Sequence, residues 1–234
     1  MADLGPPRPP LPATGEGPLL ERQREVTLLD ALIEEARVGA GRVALIEGEA
    51  GIGKSRLLGE ARARATAQHF RVLAARASEL EREFAFAVVR RLFEPIVTGP
   101  LGSPWLAGSA GPAAAVFEPL GTSSDANAGT NWFATLDGLY RLAVDAAAEA
   151  PLLLEIDDIQ WCDRPSLRFL AYLVHRLDGL PALVAVGLRA AEPGSDAMLL
   201  GEIVHDAATA SIYPAPLSEV ASAALFRTRL GAEP

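Results

Sequence analysis

Eight consecutive residues of this chain have the types and spacing of a loop that binds phosphate. Positions 48 to 55 spell Gly-Glu-Ala-Gly-Ile-Gly-Lys-Ser, which fits the pattern G-x-x-x-x-G-K-[ST]. Glycines let the backbone turn tightly enough to aim successive N–H groups at an anion, and a helix that follows adds donors at its N-terminus. The residues predicted to hold the phosphates of a nucleotide are Gly48, Glu49, Ala50, Gly51, Ile52, Gly53, Lys54, Ser55 and Arg56.

Lys54 is singled out by composition as well as by position. The chain contains 21 Lys and Arg residues, and Lys54 is the only lysine among them. An ammonium is a compact point charge that fits between phosphate oxygens, whereas a guanidinium is broad and planar. We therefore predict that Lys54 reaches the β- and γ-phosphates and acts in catalysis, and that the Ser55 hydroxyl takes one coordination position on Mg²⁺.

A pair of carboxylates follows a run of mostly apolar residues. Asp157 and Asp158 come directly after the run 152–156, and the C-terminal ends of parallel strands are where an α/β sheet forms its ligand crevice. Side chains alternate along a strand, so the two carboxylates are expected to point in opposite directions. We predict that Asp157 binds Mg²⁺ and that Asp158 polarises the attacking water or contacts the γ-phosphate. A helix-capping role suits Asp163 better, because it lies closer to the next predicted helix.

Two further charged residues need an explanation. Arg189 follows the apolar run 182–188 at the same expected edge of the sheet. Its guanidinium could detect the γ-phosphate there as part of the catalytic set, and an exposed surface arginine is the alternative. Glu155 interrupts an apolar strand on the side of Asp157. A carboxylate buried in that place must be neutralised, paired or near water, and a partner among the arginines is the interpretation that we favour.

Strands and helices alternate along the chain, which favours a parallel sheet covered on both faces. The fold class predicted is α/β, a P-loop NTPase with a five-stranded, mostly parallel sheet flanked by helices. Strands are predicted at 42–47, 70–75, 152–156, 182–188 and 211–213. Helices are predicted between Val26 and Gly39, at 54–68, 84–97, 131–149, 166–178 and 198–205, and from Ser218 onward.

Composition and charge narrow the function classes. The chain has 234 residues and a formal net charge of −9. A surface this acidic repels the phosphodiester backbone of DNA or RNA, and we therefore expect no direct nucleic-acid binding. Its single cysteine, Cys162, cannot form an intrachain disulfide, and no apolar run has the length of a membrane helix. We therefore expect a cytoplasmic protein without membrane contact. Residues 1–18 contain six prolines and are predicted to be a disordered lead.

Several motifs together resemble the ATPase module of the large ATP-binding LuxR-type regulators. These are MalT-related STAND signal-transduction ATPases, similar to the origin-recognition-complex-like AAA ATPases. The resemblance rests on IEGEAGIGKSRLL, ASELEREFAFAVVRRLFEP, PLLLEIDDIQWCDRPSLRFLAYL and VAVGLRAAEP. It implies that Gly48 to Ser55 form Walker A, that Asp157 and Asp158 form the Walker B pair, and that Arg189 is a sensor-1 arginine. The cofactors implied are ATP or ADP and Mg²⁺, and the strand before Arg189 is expected between the two Walker strands.

The same resemblance implies a division of the chain. The P-loop ATPase domain is expected over residues 19–216, and residues 217–234 would begin a winged-helix lid that is truncated here. The family's adenine-flanking motif, usually G-R-x-x-E, corresponds to residues 21–25. Glu21 stands in place of the glycine.

The function that the resemblance implies is a slow ATP-hydrolysing signal switch. The chain would be the N-terminal part, or a remnant, of a LuxR-type transcriptional regulator without its DNA-binding domain, and nucleotide-dependent self-association is a further expectation. Hydrolysis is expected to be slow because the sequence offers no obvious arginine that one copy could add to its own site from outside. Two alternatives stay open: a non-catalytic nucleotide-binding module, and a small-molecule kinase, for which the sequence shows no recognisable acceptor pocket.

Overall fold

A single parallel sheet organises the computed structural model, which describes residues 19–98, 102–118, 132–189 and 195–230. The strands of this sheet are β1 (Arg42–Glu47), β2 (Arg71–Arg76), β3 (Leu152–Asp157), β4 (Ala182–Leu188) and β5 (Thr209–Ile212). Their order is β2-β3-β4-β1-β5, and every pairing is parallel. The predicted five-stranded α/β sheet is confirmed, and each strand lies within two residues of its predicted bounds.

The central strands are buried along most of their length. β3 and β4 are buried at every residue, and β1 at its four middle residues. Such runs of Val, Leu, Ile and Ala are typical of parallel strands covered by helices on both faces. β4 lies between β1 and β3, as expected. The carboxyl ends of β1, β3 and β4, which precede Gly48, Asp158 and Arg189, therefore meet at one edge of the sheet.

Helices connect the strands and cover the sheet. Those that the structure describes are α1 (Gln23–Arg37), α2 (Lys54–Ala67), α3 (Ala87–Val97), α4 (Gly102–Trp105), α5 (Ala114–Phe117), α6 (Trp132–Glu149), α7 (Arg164–Val174), α8 (Ala197–Val204) and α9 (Glu219–Leu230). The short helices α4 and α5 fall in the Gly-, Pro- and Ala-rich stretch 99–130, to which the sequence pattern assigns no elements. Burial of apolar side chains between the helices and the sheet forms the core, in which Phe93 of α3 meets Phe169 of α7 edge-on.

The start of α3 differs from the prediction. The helix begins at Ala87 rather than Phe84 because Phe86 has a φ of 60°, a left-handed conformation that cannot continue a helix. The Asp163 carboxylate, 77 residues further along the chain, fixes this start by accepting a hydrogen bond from the Phe86 N–H at 2.8 Å. Asp163 also caps α7, as expected, by accepting from the Ser166 N–H at 2.9 Å. One buried carboxylate therefore sets the start of two helices.

The bounds of α7 also correct the predicted helix 166–178. The helix begins two residues earlier because Pro165 is tolerated in the first turn, where a backbone N–H has no intrahelical acceptor. It ends at Val174, and the N–H groups of Arg176 and Leu177 then bond to carbonyls three residues back. These tighter turns end the helix before the sequence pattern stops.

The chain divides into two compact units. One unit, Gln23–Pro216, contains the sheet and α1 to α8, and the other joins Met1–Arg22 with Leu217–Pro234. The predicted disordered lead, residues 1–18, lies outside the described residues. In the part of the chain that the structure describes, no helix combines the length and apolar character that crossing a bilayer requires.

In the second unit, Glu21 binds the residue that precedes α9. Its carboxylate accepts hydrogen bonds from the Ser218 hydroxyl at 2.6 Å and from the Ser218 N–H at 2.8 Å, and these bonds lower the pKa of Glu21. The Ser218 hydroxyl oxygen accepts in turn from the N–H of Ala221, within the first turn of α9. Glu21 has a φ of 54°, a left-handed conformation that favours glycine.

Candidate functional site

The predicted phosphate loop connects β1 to α2. Gly51 and Gly53 have φ values of 81° and 108°, which residues with a side chain adopt at a cost, so both glycines are needed for the turn. Glu49, Ala50 and Gly51 are exposed at the tip of the loop. α2 begins at Lys54, and the N–H groups of a helical first turn have no intrahelical acceptor. The loop therefore presents backbone donors to solvent at the carboxyl edge of the sheet.

Lys54 lies over this loop. Its Nζ donates hydrogen bonds to the carbonyl oxygens of Gly48 and Glu49, both at 2.8 Å. Burial lowers the pKa of the Lys54 ammonium, and the positive charge of Arg189 lowers it further, whereas the charges of Asp158 and Asp157 act in the opposite direction. Three of the charged residues singled out by the sequence, Arg189, Asp158 and Asp157, are thus near enough to act on Lys54.

Ser55 and Asp157 are in direct contact. The Ser55 hydroxyl donates to Asp157 Oδ2 at 2.6 Å, and the N–H of Asp158 donates to Asp157 Oδ1 at 3.0 Å. The Asp157 carboxylate thus points toward the first turn of α2. A hydroxyl oxygen and a carboxylate oxygen therefore face each other beside the phosphate loop, and both are the kind of ligand that Mg²⁺ prefers.

Asp158 points the other way, toward the end of β2. Its Oδ2 accepts two hydrogen bonds from Arg76, from Nε at 3.0 Å and from Nη2 at 2.9 Å. Its Oδ1 accepts from Gln160 Nε2 at 3.1 Å. The two aspartates therefore have different surroundings, as expected, although Asp158 lies just after β3 in a left-handed conformation and not within the strand. Both oxygens of Asp158 accept hydrogen bonds from protein side chains.

Gln160 joins the acidic pair to the end of β4. Its side-chain oxygen accepts a hydrogen bond from the N–H of Arg189 at 3.0 Å, while its amide nitrogen donates to Asp158. Gln160 is buried, with 1% of its surface exposed. The ends of β3 and β4 are thus held together at the side where Arg189 emerges.

Glu155 has the arginine partner that the sequence analysis expects. Arg62 of α2 binds both carboxylate oxygens of Glu155, with one contact at 2.8 Å from Nε to Oε2 and the other from Nη2 to Oε1. The Glu155 side chain is 4% exposed, and that of Arg62 is 50% exposed. The hydrogen bonds to Glu155 raise the pKa of Arg62. The buried charge is therefore compensated from the α2 side of β3.

Sequence reasoning missed three residues that shape this site. Arg76 is the last residue of β2, next to the end of β3 that carries Asp157 and Asp158. Its position at a strand end is the only feature of the sequence that could have indicated its role. Gln160 lies two residues after Asp158, in a segment that resembles the Walker B region of the LuxR-type regulators, but the sequence does not show what its amide contacts. Gly187 interrupts the apolar run of β4, and a Cβ there would lie 2.8 Å from Asp157 Oδ1.

The residues present fit a nucleotide-bound magnesium ion. Mg²⁺ usually keeps several waters and takes one or two carboxylates from the protein besides the phosphates of its nucleotide. Ser55 and Asp157 offer two oxygen donors of this kind. Among the described residues, no group of three or more His, Cys, Asp or Glu side chains could hold a metal ion by itself. The donor set thus suits an ion that is bound together with phosphate.

Comparison with known proteins gives a family and a fold. The AAA ATPase domain matches the sequence over residues 18–186. The fold is similar to that of the Aeropyrum pernix ORC1 protein, solved in complex with DNA, with a TM-score of 0.52, 14% identity, and coverage of 92% of this chain and 50% of that one. It is also similar to a STAND protein with a tetratricopeptide repeat sensor from Pyrococcus horikoshii, with a TM-score of 0.51, 14% identity, and coverage of 92% and 26%.

A shorter likeness exists to a curated sequence. A segment of 57 residues is 46% identical to an uncharacterized protein of Rhizobium meliloti (strain 1021), and it amounts to 24% of this chain and 6% of that protein. The chain spans about half or less of the length of these relatives. At 14% identity, the likeness to the solved structures shows the fold alone. The domain match extends over more than half of the sequence, and the chain belongs to the AAA ATPase domain family as a P-loop nucleotide-binding module.

Proposed function

We propose that this chain binds ATP with Mg²⁺ between the loop Gly48–Ser55 and the carboxylate of Asp157, and acts as a slow ATP-hydrolysing signal switch. The observation that carries the proposal is the 2.6 Å contact between Ser55 Oγ and Asp157 Oδ2. It joins residues 102 positions apart, and it pairs the hydroxyl and the carboxylate that hold magnesium in phosphate-loop proteins. ADP would occupy the same loop after hydrolysis.

The two cations beside the loop support an anionic ligand. Burial and the charge of Arg189 both disfavour the protonated form of Lys54, so the ammonium gains from an anion placed between the two side chains. We assign Lys54 to the β- and γ-phosphates and Arg189 to the γ-phosphate. The backbone N–H groups of residues 48–56 would hold the remaining phosphate oxygens.

Slow hydrolysis follows from the surroundings of Asp158. We assign this carboxylate to the attacking water, but its oxygens accept hydrogen bonds from Arg76 and Gln160. Oδ2 already accepts two of these bonds, so only Oδ1 has a lone pair left for the attacking water, and the amide of Gln160 competes for that oxygen. An arginine supplied by a partner molecule is worth about 10³ to 10⁵ in phosphoryl-transfer rate. Turnover of many ATP molecules per second by the purified chain would therefore contradict the proposal.

A regulatory role is the finer part of the proposal. We propose that residues 19–216 are the ATPase domain of a cytoplasmic LuxR-type regulator and that residues 217–234 belong to its lid. The motifs shared with that group and the fold similarity to a STAND protein support this role. Nucleotide-dependent self-association belongs to the same proposal, because a partner copy could supply the missing arginine.

Replacement of Lys54 tests the binding site. Lys54→Ala is expected to abolish binding of a fluorescent ATP analogue, because it removes the ammonium that faces the phosphates. Arg37→Ala is the matched control, since Arg37 is an exposed cation that pairs with Glu34 on α1. Titration of each variant with the analogue, with and without Mg²⁺, measures its affinity for the nucleotide. Unchanged affinity of Lys54→Ala would remove the central assignment.

A non-catalytic binding module is the second candidate, and the hydrogen bonds to Asp158 favour it. Nucleotide retention and phosphate release are measured for the wild type and for Asp158→Asn. If the chain is a hydrolysing switch, the wild type releases phosphate slowly and Asp158→Asn releases it more slowly. If the chain is a non-catalytic binding module, both proteins retain ATP and neither releases phosphate. Transfer of phosphate to an added small molecule, in place of inorganic phosphate, would identify the third alternative, a kinase.

A further inference from the structure

Gly187 is an unexpected residue for its place in the sheet. It is the sixth residue of β4, whose other six residues are all apolar, and glycine inside a strand is unfavourable because it adds chain entropy and no packing. Glycine in a strand often marks a bulge or the close approach of another group. The pairing of β4 with β1 continues without interruption past Gly187, and its φ is not positive. Neither a bulge nor backbone conformation therefore explains the glycine.

The group that approaches Gly187 is the carboxylate of Asp157. A Cβ at position 187 would lie 2.8 Å from Asp157 Oδ1, which is closer than such carbons approach other atoms in proteins. The same carbon would lie 3.2 Å from Leu58 Cδ1, a contact that a shift of a few tenths of an ångström at the end of that side chain would relieve. The carboxylate is thus the neighbour with the least space to move.

Asp157 has little freedom because both of its oxygens accept hydrogen bonds. Ser55 Oγ donates to Oδ2, and the N–H of Asp158 donates to Oδ1, the oxygen that faces Gly187. A methyl group at position 187 would push Oδ1 away from β4. Rotation of the carboxylate to relieve that contact would lengthen one or both hydrogen bonds and turn Oδ2 away from the Ser55 hydroxyl.

We propose that Gly187 is a positioning residue for the magnesium site: its missing side chain leaves the space in which the Asp157 carboxylate lies against β4 and faces Ser55. The role of the ion rests on the proposed function, whereas the steric part rests on the distance between position 187 and Asp157 Oδ1. Gly187 touches neither nucleotide nor metal in this proposal. It acts through Asp157, as outer groups around a metal ligand do.

Nucleotide binding tests the consequence for magnesium. Gly187→Ala is expected to reduce the affinity for Mg²⁺·ATP by about 10- to 100-fold, the usual effect of disturbing a group that orients a metal ligand, and to leave the affinity for ATP in EDTA unchanged. Gly59→Ala on α2 is the matched control, because a Cβ at position 59 meets no atom within 4 Å. Equal affinities of Gly187→Ala and the wild type for Mg²⁺·ATP would overturn the proposal.

Urea unfolding without nucleotide tests the steric part independently. Gly187→Ala is expected to lower the unfolding midpoint of the wild type, and most of that shift should disappear in an Asp157→Ala background, where the carboxylate is absent. In a Leu58→Ala background the shift should remain. The same shift with and without Asp157, or relief by Leu58→Ala, would overturn the proposal and identify packing against Leu58 as the reason for the glycine.

The two experiments also separate failure of the inference from failure of the proposed function. If the wild type binds ATP equally well with and without Mg²⁺, the magnesium assignment is wrong, and the unfolding comparison still decides whether Gly187 makes room for Asp157. If Gly187→Ala alone does not fold, the Asp157→Ala/Gly187→Ala double variant must fold. Failure of that double variant would overturn the proposal.

Discussion

At the scale of single residues, one backbone angle gives two adjacent carboxylates different surroundings. Asp158 has a φ of 57°, a left-handed conformation that aspartate tolerates better than most residues. The chain turns there, so Asp157 faces Ser55 on α2 while Asp158 faces Arg76 at the end of β2. A metal ligand and a water-activating group can therefore be neighbours in sequence without competing for the same ligand.

Arg76 is expected to restrain hydrolysis. Arg76→Ala removes the two hydrogen bonds to Asp158 Oδ2 and frees that oxygen for water, so phosphate release in a single turnover should rise by about tenfold, a fraction of what a positioned base contributes. Arg71→Ala, at the other end of β2, is the control and should have no such effect. A slower release in Arg76→Ala would mean that Arg76 assists the reaction.

Cys162 is expected to be unreactive in the folded chain. Burial raises the pKa of its thiol well above the ordinary value, and the negative charge of Asp163 raises it further. Because the thiolate is the reactive form, labelling by a disulfide reagent at pH 8 should be on the order of 10² times slower than in urea. The chain has a single cysteine, so the released chromophore reports this residue alone. Rapid labelling of the native protein would contradict the burial of Cys162.

The residues of the candidate site differ in how far sequence predicts them. Lys54 and Ser55 belong to a local pattern, and Asp157 follows from the rule that ligands bind at the ends of parallel strands. The contact between Arg76 and Asp158 joins residues 82 positions apart, so it depends on which strands are neighbours. The glycine at 187 is visible in the sequence, but the carboxylate that requires it is visible only in the fold.

At the scale of elements, two polar contacts hold α2 against β3. Ser55 and Arg62 are seven residues apart, about two helical turns, and therefore lie on the same face of α2. Asp157 and Glu155 are two residues apart and lie on the same face of β3. Ser55 bonds to Asp157 and Arg62 to Glu155. The helix and the strand that carry the site are thus joined at two points, about two helical turns apart along α2.

The Arg62–Glu155 pair is expected to be asymmetric in its contribution to stability. Arg62→Leu leaves a buried carboxylate without compensation and should lower the free energy of unfolding by about 3 kcal/mol. Glu155→Leu leaves a half-exposed arginine that water can solvate, so it should cost less than about 1 kcal/mol. Urea unfolding measures both, with Arg37→Leu as a surface control. Equal costs would show that Glu155 reaches water or another partner when Arg62 is absent.

The bounds of a helix or strand are predictable from sequence where the burial of its own apolar residues determines them. β1 and β4 agree with the prediction at both ends, because a short run with an apolar centre between turn residues has few alternatives to a buried parallel strand. The start of α3 was not predictable, because a carboxylate on another element binds the Phe86 N–H. Helix ends set by distant partners leave no periodic signal in the sequence.

At the scale of the whole molecule, the expected absence of nucleic-acid binding stays a prediction from net charge. The formal charge is −9, although the similar ORC1 protein was solved in complex with DNA. Charge repulsion should keep binding of a labelled DNA duplex undetectable by fluorescence anisotropy up to about 100 µM protein at physiological salt, a range in which DNA-binding proteins already bind non-specifically. Saturable binding that weakens with added salt would show a basic surface strong enough to outweigh the net charge.

Ligand binding should stabilise the folded chain as a whole, because a nucleotide that binds only the native state shifts the unfolding equilibrium. At a concentration of 100 times its dissociation constant, Mg²⁺·ATP adds about 2.7 kcal/mol. For a folded unit of this size, each kcal/mol raises Tm by about 2 to 4 °C, so a rise of roughly 5 to 10 °C is expected. Differential scanning fluorimetry measures it, with Lys54→Ala as the variant that should show no rise. A rise of equal size in Lys54→Ala would place the nucleotide elsewhere on the protein, and no rise in the wild type at saturating ATP would argue against binding in the loop Gly48–Ser55.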